Sequence, residues 1–209
     1  MQLVEKGFTL QPILSLIFDS INNYDNEESI KLISHCFIYG SRVITAEKAK
    51  TKLNDLLTYT LTNNSAEVFV LLETLSTQEV YKNLLTTLII EKDSSFINSL
   101  PPYLLKLAVS SFTKDNYNDY TNNFEFLSVI IQKGNIIQKG YVVKIVTSKL
   151  DANQDIQQML DLIDKMDNIS SFDKSGLLFS HLDNYQHQNK ETISAELDDR
   201  IVKLKKKLK

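Results

Sequence analysis

His35 and Cys36 stand side by side, and they are the residue types from which a thiolate–imidazolium nucleophile is built. On a helix, neighbours point about a hundred degrees apart, so the two cannot form that close pair, and Cys36 reads as a small buried apolar residue. His181 and His187 lie in a polar stretch, without the cysteine or carboxylate spacing of a zinc site. The five glycines, at 7, 40, 134, 140 and 176, exclude both the P-loop and the dinucleotide fingerprint. Carboxylate pairs such as Glu27-Glu28 and Asp198-Asp199 sit where helix starts favour negative charge, so capping explains them without catalysis. We therefore expect a noncatalytic chain with no cofactor, no metal and no small-molecule substrate. An enzyme of unrecognised type would need His35, His181 or His187 to meet a carboxylate or Cys36 in a pocket.

The tail, SAELDDRIVKLKKKLK, carries a different chemistry. Leu197, Ile201, Leu204 and Leu208 are spaced four, three and four, which makes a short heptad seam. Six cations follow within residues 200–209: Arg200, Lys203, Lys205, Lys206, Lys207 and Lys209. Three readings stay open. The lysines can be a solvated helix end that complements the dipole. The seam can pack on a partner chain or back on the domain. The cations can touch RNA or DNA phosphates with a steep salt dependence. The tail has no aromatic residue, so base stacking is not expected there.

The elements that must position these residues read as helices. Apolar residues recur at steps of three and four, as in Leu10, Ile13, Leu14, Ile17, Phe18 and Ile21, and with only five Gly and three Pro the chain has few turn residues to spend. Asp25-Asn26-Glu27-Glu28, Thr45 and Ser65 look like helix starts, and Gly40 like a stop. Ser76-Thr77-Gln78-Glu79 matches a capping box. Pro101-Pro102 ends one element and opens the next. The polar stretch 113–123 is expected as an exposed loop, with Thr121 capping the helix that follows it.

The segment IIQKGNIIQKG at 130–140 repeats five letters. We read it as two helix ends, each closed by a left-handed glycine, with a β-hairpin as the rival. The β-branched run from Val142 to Val146 is expected as buried helix. A further amphipathic helix lies in 152–166, and Ser171 or Asp173 starts another around Leu177, Leu178 and Leu182. The fold class is all-α, an irregular α-solenoid or bundle of about ten short helices packed as hairpins, with a C-terminal basic helix. Domains are expected at 1–182, with a polar linker over 183–192 and the amphipathic basic helix over 193–209.

A net charge of −3 gives no global attraction to nucleic acid or anionic membrane. The single cysteine cannot close an intramolecular disulfide, and no apolar run is long enough to span a bilayer. A reducing compartment, nuclear or cytoplasmic rather than secreted, is expected. The phrase INSLPPYLLKLAVSSF at 97–112, with Leu100, Pro101, Leu104, Leu105 and Leu107, resembles the C-terminal helical domains of WD-repeat scaffold proteins of the small-subunit processome. That resemblance implies a nucleolar assembly domain that binds sibling subunits of a pre-ribosomal complex. The expected function is a protein-binding scaffold, with nucleic-acid binding through the tail as the alternative.

Overall fold

Helical periodicity governs the chain throughout. The computed structural model describes residues 10–40, 42–63, 65–167, 169 and 176–208, and among them there are twelve α-helices, one 3-10 turn and no strand. The protein is all-α, as its spacing predicts, with more helices than the ten or so expected. Two compact units divide the chain, residues 1–91 with 99–107 and residues 92–98 with 108–209.

In the first unit, α1 (Leu10–Ser20), α2 (Glu27–Tyr39), α3 (Ala46–Asn63), α4 (Ala66–Ser76) and α5 (Glu79–Ile90) follow one another. Helix α1 packs on α2, α2 on α4, and α3, α4 and α5 on each other. Phe37 sits at the centre, fully buried, with Phe18 and Tyr81 edge-on at 4.9 and 5.0 Å and the Tyr81 hydroxyl donating to its carbonyl. Burying such a side chain contributes roughly 1.5–3 kcal/mol. Ser65 caps α4 as its sequence suggests, and Asn26, rather than the Asp25 before it, caps α2, each accepting a first-turn amide.

The capping box expected at Ser76 does not form. Helix α4 runs on through Ser76, because Leu71, Leu72 and Leu75 keep burying its face, and the serine hydroxyl donates back to the Glu73 carbonyl. Gln78 occupies the N-cap of α5 with no side-chain bond. The boundary therefore stands where expected, without the device expected to make it.

The second unit holds α6 (Ser94–Ser99), the end of α7 (Pro102–Ser111), the 3-10 turn Tyr117–Tyr120, α8 (Phe124–Lys133), α9 (Ile136–Asp151), α10 (Ile156–Asp164), α11 (Leu177–Gln188) and α12 (Ala195–Lys207). Pro102 opens α7, as a proline can. Helix α9 is central and packs on α8, α10 and α11; its β-branched run is buried helix, as expected. Phe112, Tyr120, Phe126 and Tyr141 form an aromatic cluster that orders much of the expected 113–123 loop. Asn123, not Thr121, caps α8, its side chain accepting the Phe126 amide.

The repeated pentapeptide ends one helix and starts the next. Gly134 closes α8 in extended backbone (φ −70, ψ 159), and Asn135 caps α9 in a full capping box with Gln138. Gly140 lies inside α9, and neither glycine is left-handed. The two-ended reading and the hairpin are both corrected: there is a single junction, and the cap strength of Asn135 with Gln138 sets it. The expected linker at 183–192 is also corrected, because α11 continues to Gln188 by burying Leu178, Leu182 and Tyr185 at steps of four and three. The helix start expected at Ser171 or Asp173 lies outside the described residues.

Candidate functional site

Helix α12 was the sequence's main candidate surface, and the fold engages most of it. Ser194 caps it, with Glu196 and Asp198 in the first turn and Lys205, Lys206 and Lys207 in the last. Ile201 and Leu204 are 0% and 1% exposed, and Leu197 and Leu208 are partly buried. Of the two destinations open to the seam, Ile201 and Leu204 take the chain's own: α12 packs on α10 and α11. These two side chains are not a free partner-binding surface.

The cations are tied down in the same way. Arg200 Nη2 reaches Asp161 at 2.6 Å and Asp164 at 2.9 Å, and its Nη1 donates to Gln157. Lys207 pairs with Asp164 at 3.2 Å, and Lys205 with Asp183 and Gln186. Lys203 pairs along its own helix with Asp199 at 2.6 Å. Burial raises the Asp164 carboxyl, but the hydrogen bonds and charges of Arg200 and Lys207 outweigh it and hold the group below its ordinary value. A phosphate would have to displace these carboxylates to reach Arg200, Lys205 or Lys207. Lys206 is exposed, with no such pair among the described residues, and Lys209 lies outside them.

The expected chemistry groups are dispersed. His35 is exposed on α2, its Nδ1 donating to the Lys31 carbonyl at 2.7 Å. Cys36 is 1% exposed, its thiol directed at the Leu14 carbonyl and pushed up in pKa by burial. His181 does meet a carboxylate, Asp151 at the end of α9, a pairing across thirty positions that no local pattern announces. Among the described residues no three His, Cys, Asp or Glu side chains gather as metal ligands, and no helix is long and apolar enough to cross a membrane.

The described residues also form concavities that the sequence did not single out, three of which bear on function. In the first unit, a groove of about 280 Å³ lies on α2 and α4, lined by Ile30, Ser34, Val70, Leu71 and Thr74, with Glu27, Lys31 and Glu67 at its edge. Val70 stands 61% exposed there. A second cavity surrounds the end of α1 and the middle of α3. In it the 6% exposed Lys52 donates to the Ile21 carbonyl at 2.5 Å and to Asn22, with Phe18 and Tyr24 within 6 Å of its ammonium. Burial lowers the Lys52 pKa and raises that of Tyr24 to about 12. Lys52 thus supplies the missing donor at the C-terminal end of α1. The third concavity is a polar cleft in the second unit, between the 3-10 turn and α9.

Compared with protein families, with characterised proteins and with solved structures, the chain matches none.

Proposed function

We propose that this chain is a noncatalytic helical scaffold that binds a partner protein of a larger assembly by receiving an amphipathic helix in the groove on α2 and α4. The observation that carries the reading is the groove's make-up, with Val70 standing exposed beside the buried Ile30 and Leu71. A groove between two helices with apolar residues from both suits a helix that inserts side chains at steps of three and four. Charge selects the occupant. Lys31 is held by Glu27 at 2.6 Å, and Glu67 accepts from the Ser65 hydroxyl with no ion pair among the described residues, which leaves it as the unneutralised charge of the lining. The bound helix carries an apolar stripe with a lysine or arginine at the end that meets Glu67.

The resemblance at 97–112 supports a pre-ribosomal assembly as the setting, and its leucines also serve the fold, with Leu100 and Leu104 6% and 0% exposed. The test is affinity purification from native extract with mass spectrometry, on the unaltered chain and on the exposed-site variants Val70→Asp and Glu67→Lys. A stoichiometric partner that both variants lose, with their helical content unchanged, supports the reading. A monomer without a stoichiometric partner, or a partner retained by both variants, overturns it.

A further inference from the structure

The cleft in the second unit differs from the other two concavities described in having no carboxylate in its lining. It holds about 350 Å³, at the small end of the roughly 300–1,000 Å³ typical of ligand sites. Its charged residues are Lys144 and Lys149, and Asn118, Asn122, Ser148 and Gln154 supply neutral groups that both donate and accept. No carboxylate lines it. At one side stands Tyr117, stacked on Tyr141 with ring centroids 5.0 Å apart and planes 10° from parallel. Lys144 lies 5.6 Å from the Tyr141 ring, one turn along α9, so one stack holds both the aromatic platform and the cation in place.

The base of the cleft is braced. Lys149 donates to Asn122 at 2.7 Å and to Asp155 at 2.8 Å, which ties the 3-10 turn to the turn after α9. In that turn Asn153 and Asp155 both adopt left-handed backbone (φ 54 and 52), and they flank Gln154, which lines the cleft. Asn and Asp are the residue types that, after glycine, adopt this backbone most readily. Lys149 is neutralised by Asp155, so Lys144 gives the cleft its net positive charge.

We propose that this cleft binds one nucleotide unit, its base against Tyr117 and its phosphate at Lys144. An aromatic face, one unopposed cation and a ring of amides and hydroxyls match the base, phosphate and sugar of that ligand. The lining offers a cationic ligand no carboxylate of its own, and an acidic peptide would find one cation, Lys144, without an ion pair among the described residues. The site is separate from the groove on α2 and α4 and does not depend on it.

Calorimetric titration of the full chain at low salt, with uridine 5′-monophosphate and with a short single-stranded oligouridylate, tests the assignment and its source. Tyr117→Ala is expected to weaken binding roughly tenfold. Lys144→Gln is expected to weaken it and to lower the salt slope by about one. Ser148→Glu, at an exposed helical position, puts a negative charge in the cleft and abolishes binding with helical content unchanged, while Lys206→Gln on α12 changes nothing. Both ligands binding with this pattern identifies a free-nucleotide site. The oligomer alone binding with this pattern identifies a single strand as the source. Neither ligand binding up to about 1 mM, or affinities that Ser148→Glu and Lys144→Gln leave untouched, overturns the proposal.

Discussion

Residues 130–134 and 136–140 carry the same five letters in the same order, and the fold uses them in opposite ways. Ile130 and Ile131 are 0% and 3% exposed at the end of α8, whereas Ile136 and Ile137 are 65% and 62% exposed at the start of α9. Gln132 is exposed to solvent, whereas Gln138 is buried. Gln138 accepts the Asn135 amide through Oε1 and donates through Nε2 to the Val109 and Phe112 carbonyls at 2.6 and 3.0 Å. One side chain thus caps the beginning of α9 and satisfies carbonyls at the end of α7. Composition and local order are identical in the two copies, so position relative to the Asn135 cap decides everything else.

The comparison can be broken at each letter. Ile130→Ala empties a packed site and is expected to destabilise by about 2–5 kcal/mol, while Ile136→Ala stays within about 0.5 kcal/mol; urea melts of the two variants read the difference. Gln138→Ala removes three hydrogen bonds and is expected to cost about 1–3 kcal/mol, with hydrogen exchange accelerating in the first turn of α9, while Gln132→Ala leaves both measurements unchanged.

The glycines should differ in sign. A Cβ on Gly134 would stand 2.5 Å from the Ile130 carbonyl oxygen and 3.0 Å from its Cγ2, so Gly134→Ala destabilises by about 1 kcal/mol or more. A Cβ on Gly140 meets nothing within 4 Å, so Gly140→Ala stabilises α9 by about 0.5–1 kcal/mol. Equal effects at the two glycines would refute the assignment of one to a junction and the other to a helix interior. The smallest contrast is electrostatic. Lys133 lies in the last turn of α8, and its loss in Lys133→Gln is expected to cost about 0.3 kcal/mol at low salt, whereas Lys139→Gln, near the start of α9, costs nothing or gains by a similar amount.

Helix type and the main buried faces were legible because spacing carries them directly. Ser65 was legible as a cap for the same local reason, that a short polar side chain precedes an apolar run, whereas at Asp25-Asn26 the sequence offers two such side chains and the second is the cap. What failed was choice among equivalent local signals. Ser76 has the letters of a capping box but sits on a helix that its leucines extend, and Thr121 stands two residues before the better-placed Asn123. The letters of 183–188 look like a linker, yet Tyr185 continues the stripe begun by Leu178 and Leu182, and that step of three was the signal to follow. The candidate sites were hidden for another reason. Val70 with Ile30, and Tyr117 with Lys144, become neighbours only through packing between elements, which no local pattern encodes.

The docking of α12 has a consequence for how this protein can be dissected. A chain cut before Ser194 would wet the greasy flanks of its two neighbouring rods and strand Asp161, Asp164 and Asp183 without their counter-ions, so it would tend to clump or loosen. Loss of any activity in such a shortened protein would report a damaged body rather than a missing contact. Single charge swaps on the wet side of that rod, at Lys203 or Lys206, leave the body whole and ask the question cleanly.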